Sequence, residues 1–193
     1  MSSLFAGKWY KAIMSIHVKT LFSAEEIAVR NASLAKTIAA TVSPNALVIA
    51  ILKGSFVFAA DLIRALHDAR MEPQVEFLQL SSYRTSTVSS GQVDVVRDIE
   101  NDVAGREVLL IDDILESGRT LAYAKDLLAA RGAAKVWSCV LLDKQNKRAV
   151  KIDADFVGFA CPDYFVVGYG MDVAHAYRQL PFVGVMERDG ETV

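Results

Sequence analysis

Cysteine is scarce in this chain: Cys139 and Cys161 are the only two among 193 residues. Thiols so few and so far apart make neither a zinc ribbon nor a redox Cys-x-x-Cys motif, and nothing in them implies an oxidising compartment. Cys139 lies in an apolar run and reads as a small buried hydrophobe. Histidine is equally sparse, and His17, His67 and His175 show no metal-ligand spacing; all three read as structural or exposed. There is no basic excess, since 21 Lys+Arg face 23 Asp+Glu for a net charge of -2. That balance argues against nucleic acid as the main partner, because phosphate-backbone binding needs clustered positive charge. No apolar run approaches the roughly 18 residues of a membrane span, and the amino terminus has no continuous apolar h-region. The expected location is the cytoplasm, without a membrane partner. Repeats, low-complexity tracts and linkers are also missing, so one domain over residues 1–193 is expected. Neither G-x-x-x-x-G-K-[ST] nor G-x-G-x-x-G occurs, which makes nucleoside triphosphates and dinucleotides poor ligand candidates.

What is present is a 52% hydrophobic composition, enough for a substantial core. Residues 1 to about 22 read as an irregular or short-strand lead-in. Ser23-Ala24-Glu25-Glu26 forms a capping box, and Ile27, Leu34 and Ile38 give the helix behind it an apolar stripe. Leu47 to Leu52 is a continuous apolar run, as in a strand buried on both faces. Lys53-Gly54-Ser55 turns into a second helix with Phe58, Leu62 and Leu66 inward. A strand follows at Val75 to Leu80, then a long hydroxyl-rich stretch, Ser81 to Gly91, of the kind that forms lids. Alternation from Gln92 to Arg97 predicts the returning arm of a hairpin. Val108–Ile111 and Val136–Leu142 are further strands, with a helix between them that begins near Thr120 and ends at Gly132. Phe156–Phe159 and Phe165–Val167 are short strands. Strands alternating with helices predict a mostly parallel, doubly wound α/β sheet, in which ligands bind beyond the carboxyl ends of the strands.

Chemistry concentrates at Val108-Leu109-Leu110-Ile111-Asp112-Asp113-Ile114-Leu115-Glu116-Ser117-Gly118-Arg119-Thr120-Leu121. An apolar strand ends in two carboxylates, which suit ribose hydroxyls or a Mg²⁺ that also holds a diphosphate. A helix N-cap or a solvated acidic turn is the plainer reading of the same pair. The loop Glu116–Thr120 supplies backbone N–H groups, hydroxyls and a glycine ahead of a helix N-terminus, a phosphate-binding arrangement. Its plainer reading is a generic Ser/Gly turn.

This segment resembles the phosphoribosyl-diphosphate (PRPP) motif of the phosphoribosyltransferases. The likeness extends to Leu52-Lys53-Gly54-Ser55, Ser81-Ser82-Tyr83, Leu141-Leu142-Asp143-Lys144, Asp155–Phe159 and Pro162–Asp172, and over residues 45 to 186 it is similar to the hypoxanthine (hypoxanthine-guanine) branch. The resemblance implies a type I phosphoribosyltransferase-like sheet flanked by helices, with a small hood from the terminal segments. It implies transfer of a phosphoribosyl group from PRPP to hypoxanthine, and also guanine, giving IMP or GMP and diphosphate with Mg²⁺ as cofactor, in a homodimer or homotetramer.

Residue by residue, it implies that Asp112 and Asp113 hold the ribose hydroxyls and, through water, Mg²⁺. Ser117, Gly118, Arg119 and Thr120 would cradle the 5′-phosphate. Lys53 and Gly54, where the family commonly has a non-proline cis peptide, would meet the diphosphate together with Arg178. Lys144 would donate to the purine 6-oxo group, Phe165 would stack on the ring, and the Val166 backbone would read the base edge. Asp172 would serve the purine site and a Mg²⁺, and Ser82 and Tyr83 would belong to a closing loop. In place of the usual Asp and Glu-Asp this chain has Glu116 and Asp112-Asp113, and Glu116 is expected to be the general base at N7. Lys53, Lys144 and Arg178 also read as surface charges, and Phe165 as strand core. A non-catalytic PRPP sensor, a xanthine-guanine enzyme and a phosphoacceptor receiver domain are the alternative functions.

Overall fold

The computed structural model describes residues 16–82, 93–188 and 191–192. In chain order these form β1 (Ile16–Phe22), α1 (Ala24–Ala39), β2 (Leu47–Leu52), α2 (Phe56–Asp68), β3 (Gln74–Ser82) and β4 (Val93–Arg97). β5 (Glu107–Leu115), α3 (Arg119–Ala130), β6 (Lys135–Asp143) and a 3-10 turn (Gln145–Lys147) follow. β7 (Phe156–Ala160), β8 (Val166–Val167), β9 (Val183–Arg188) and β10 (Glu191–Thr192) complete it.

Local chemistry explains the helix ends. The Glu26 amide donates to Ser23 Oγ at 3.2 Å and the Ser23 amide to Glu26 Oε2 at 2.7 Å, closing the capping box before α1. At the end of α3, the Gly132 amide reaches the Ala129 carbonyl at 2.9 Å and the Ala133 amide the Leu128 carbonyl at 3.1 Å. Gly132 has φ +83°, so this is a Schellman ending.

Six strands make the main sheet in the order β4-β3-β2-β5-β6-β7; all neighbours are parallel except β3 and β4, the expected hairpin. Alternate side chains of β2 and β5 feed two cores. Val48, Ala50, Leu109 and Ile111 pack with Ile27, Leu34, Ile38, Phe58, Leu62 and Leu66 of α1 and α2. Leu47, Ile49, Val108 and Leu110 pack with Leu121, Ala124 and Leu128 of α3. Helices on both faces are why the strand sequences read as unbroken apolar runs rather than alternating ones.

A smaller sheet forms the hood. β1 pairs antiparallel with β9, from Ile16 opposite Arg188 to Phe22 opposite Val183, and β8 and β10 also pair with β9. Residues 16–22 of the amino-terminal lead-in are thus a strand whose partner lies far along the chain. From β2 the chain moves to β3 on one side; β5 then joins β2 on the other. The carboxyl ends of β2 and β5 therefore lie side by side where the strand order reverses, the position at which open α/β sheets leave a crevice.

Candidate active site

Three segments converge at that reversal. The first is the turn after β2, which contains a cis Leu52–Lys53 peptide bond. Lys53 is exposed, while Ser55 is buried and donates from Oγ to the Ile51 carbonyl at 2.5 Å. The second is the acidic pair near the carboxyl end of β5; the strand does not stop at the acids as expected but runs on through Ile114 to Leu115, which pair with β6. The Asp113 amide donates to Asp112 Oδ1 at 3.0 Å, and the Ile114 amide to Asp113 Oδ1 at 2.9 Å. Gly54 packs so tightly on Asp113 that a Cβ there would overlap its carboxylate. The third is Gly168–Arg178. Gly170 lies against the Gly54 carbonyl with the same lack of room.

Burial pushes the Asp112 carboxyl well above the usual carboxylate range, and the charge of Asp113 adds to the rise. Burial raises Asp113 too, opposed by hydrogen bonds from Asp112 and the Ile114 amide and by the nearby Arg178 guanidinium. Two desolvated carboxylates of this kind favour a bound cation or hydroxyl donors.

Arg178, from the third segment, lies near Asp113 and pairs with Asp172 of its own segment. Arg178 Nη2 lies 2.5 Å from Asp172 Oδ1, Nη1 donates to the Gly170 carbonyl at 2.6 Å, and the His175 amide donates to Asp172 Oδ2 at 2.7 Å. Both Asp172 oxygens therefore already have partners. Asp112 and Asp113 offer hard oxygen donors at the strand end, but the described residues contain no cluster of three or more His, Cys, Asp or Glu able to hold a metal. That donor set fits Mg²⁺, which keeps several waters and takes one or two protein carboxylates along with phosphate oxygens. A cation needing an all-protein cage would not be served.

The loop Glu116–Thr120 leads from β5 into α3. Gly118 adopts φ +82° at the helix N-cap, a left-handed conformation that other residues adopt at a cost. The Arg119 amide donates to Ser117 Oγ at 3.4 Å.

Across from this loop, Lys144 is only 6% exposed, so it is not an ordinary surface charge. Its Nζ lies 3.4 Å from Glu116 Oε1; Lys147 Nζ lies 3.7 Å from the same oxygen and 2.7 Å from Asp163. Val166 is buried and pairs with Val185 in the hood, while Phe165 is 45% exposed and is not core. An exposed aromatic face and a buried ammonium each suit a planar ligand carrying a carbonyl, the one by stacking and the other by hydrogen bonding. Ser82 ends β3, and its side chain and Tyr83 lie outside the described residues. A separate pocket of about 360 Å³, lined by His67, Asp68, Arg70, Met71 and Glu72, sits past the end of α2 and shares no residue with this site.

A phosphoribosyl transferase domain matches residues 17–174. The chain belongs to the phosphoribosyl transferase family. It is 44% identical over 170 residues to the hypoxanthine-guanine phosphoribosyltransferase of Bacillus subtilis, covering 88% of this chain and 93% of that one. A crystal structure of a hypoxanthine-guanine phosphoribosyltransferase from Bacillus anthracis matches with a TM-score of 0.81 at 40% identity, over 87% of this chain and 98% of the other. The chain is also 43% identical over 170 residues, 88% of its length, to the bifunctional protein TilS/HprT of Listeria innocua, and spans 26% of that longer protein. The mostly parallel sheet, its flanking helices and the hood are the type I phosphoribosyltransferase fold.

Within this candidate site, one residue escaped the sequence reading. Arg148 is mostly buried and donates from Nη1 to the carbonyls of Leu115 at 2.7 Å, Glu116 at 2.8 Å and Lys144 at 3.1 Å. Its Nε donates to the Ile152 carbonyl at 3.1 Å, and Nη2 pairs with Asp143. Nothing in the run Lys144-Gln145-Asn146-Lys147-Arg148 marks the last residue out, since such a run reads as solvated charge.

Proposed function

We propose that this protein transfers the 5-phosphoribosyl group of PRPP to N9 of hypoxanthine and guanine, giving IMP or GMP and diphosphate, as a purine-salvage enzyme of the cytoplasm. The observation that carries the reading is the meeting of the Lys53–Gly54 turn, the Asp112–Asp113 pair and the Glu116–Thr120 loop at one strand-order reversal. A homodimer or homotetramer is proposed with it, from the family resemblance.

In this reading Asp112 and Asp113 accept hydrogen bonds from the ribose hydroxyls, and Ser117, Gly118, Arg119 and Thr120 surround the 5′-phosphate. Cleaving the bond from C1′ to the diphosphate oxygen leaves oxocarbenium-like charge on the ribose and negative charge on the leaving group. Lys53, Arg178 and the Gly54 backbone stabilise the leaving diphosphate. Mg²⁺, held by Asp112 and Asp113 with Asp172 nearby, would neutralise diphosphate charge when bound. Phe165 stacks on the purine, and the Val166 backbone meets its edge. Lys144 carries only donors, so it accepts a 6-oxo group as partner and rejects the 6-amino group of adenine. Ser82 and Tyr83 belong to the segment that closes and excludes water.

The test is a Mg²⁺-dependent assay with PRPP and hypoxanthine, guanine, xanthine or adenine, followed by product absorbance. Hypoxanthine and guanine should turn over and adenine should not; nucleotide from none of the four would overturn the reading, and a xanthine preference would correct its specificity. Asp113→Asn removes a charged acceptor for hydroxyl or cation, a change of about 1.5–3 kcal/mol for a charge-assisted bond, and should weaken Mg²⁺-dependent PRPP binding by about tenfold or more. Identical affinity by calorimetry would remove Asp113 from that role.

A further inference from the structure

The phosphate loop lies with its back against the segment 143–152. The Leu115 carbonyl accepts from Arg148 Nη1 at 2.7 Å and from the Lys144 amide at 2.9 Å. The Glu116 carbonyl accepts from Arg148 Nη1 at 2.8 Å, and the Ser117 carbonyl from the amides of Ala149 at 2.9 Å and Val150 at 3.1 Å. Three consecutive carbonyls thus face one way. The one cis peptide among the described residues is Leu52–Lys53, so these peptides are trans. In a planar trans peptide the N–H of the next residue points opposite to the carbonyl. The amides of Glu116, Ser117 and Gly118 are therefore turned away from Arg148, toward the side on which the phosphate is proposed to bind. Convergent amides of this kind form an anion-binding nest.

Arg148 is itself held in place by Asp143 and by the Ile152 carbonyl, and the same Nη1 reaches the carbonyl of Lys144. Its planar fork suits several acceptors at once in a way that a lysine does not.

We propose that Arg148 is a positioning residue for 5′-phosphate recognition: it holds the Leu115 and Glu116 carbonyls and so aims the following amides at the phosphate without touching the ligand. The inference rests on the phosphate-loop assignment made above. It makes 5′-phosphate affinity depend on a side chain behind the loop, and it ties that loop to the strand end carrying Lys144.

The test compares IMP with inosine, which lacks the phosphate, for binding to the wild type, Arg148→Met and Arg148→Lys by calorimetry. Arg148→Met should weaken IMP about tenfold or more, with inosine affinity unchanged and the KM for PRPP raised. Arg148→Lys, which keeps the charge but offers a single centre, should fall between. Loss of IMP and inosine in parallel, or IMP affinity equal to wild type, would overturn the proposal by showing a scaffold role or none. If Arg148→Met does not fold by circular dichroism, an IMP-to-inosine ratio in Arg148→Lys equal to wild type overturns it and a reduced ratio supports it. A wild type that binds inosine as tightly as IMP would instead overturn the phosphate-loop assignment.

Discussion

Gly54→Ala is expected to lower kcat/KM for PRPP by about 10²-fold, the cost of displacing a reacting group by roughly 1 Å. A methyl group at Gly54 would occupy the space of the Asp113 carboxylate, whose Cγ would stand 2.6 Å from the new carbon. Asp113 cannot simply swing aside, because its Oδ1 accepts from the Ile114 amide at 2.9 Å. Moving the Gly54 backbone instead would press its carbonyl into Gly170. Either adjustment separates the turn proposed to meet diphosphate from the acids proposed to meet ribose. Gly54 has no left-handed φ, so the change is one of contact rather than of backbone conformation. Steady-state kinetics with PRPP varied, alongside a thermal melt, decide the matter. Kinetics like wild type would mean that this packing does not position Asp113 for the reaction.

Glu116→Gln should lower kcat by about 10²-fold and leave PRPP affinity nearly intact. Gln keeps the length of Glu116 and an acceptor oxygen but cannot take a proton from N7, and general-base catalysis is worth roughly 10² to 10⁴-fold, about 3–5 kcal/mol of barrier. PRPP binding is spared because the Glu116 backbone, held through its carbonyl by Arg148, is unchanged. The carboxylate rests between Lys144 at 3.4 Å and Lys147 at 3.7 Å, so it is held by two ammonium groups rather than free in solvent. Its extra methylene relative to the Asp usual in the family lengthens its reach. Single-turnover rates and equilibrium PRPP binding measured on one preparation separate chemistry from binding. Unchanged turnover would remove Glu116 from proton transfer.

How far the sequence could be read depended on the range of the interaction. Ser23 and Glu26 lie within one helical turn, so their capping box was visible in the residues and is present in the structure. The β3–β4 hairpin and the apolar strands β2, β5 and β6 follow the same short-range periodicity. β1 was legible only as a lead-in, because its partner β9 is more than 150 residues away and no local pattern encodes the pairing. Lys144 and Phe165 carried two readings each; burial of the first and exposure of the second came from how the β6 end and the hood are packed.

The residues alone, then, determined the order of helices and of the strands from β2 to β8, though not β9 and β10, together with the acids and the glycine-bearing loop that follows β5, and a family likeness carried by contiguous motifs. Each is a property of neighbours in the chain, governed by propensity, capping and alternation. Only the tertiary structure decided that Gly54 presses on Asp113, that Glu116 lies between two lysines, and that Arg148 stands behind the Glu116–Thr120 loop. Those contacts join segments brought together by sheet order and close packing, and a side chain's partner across such a boundary is set by the shape of the whole core rather than by its own neighbours.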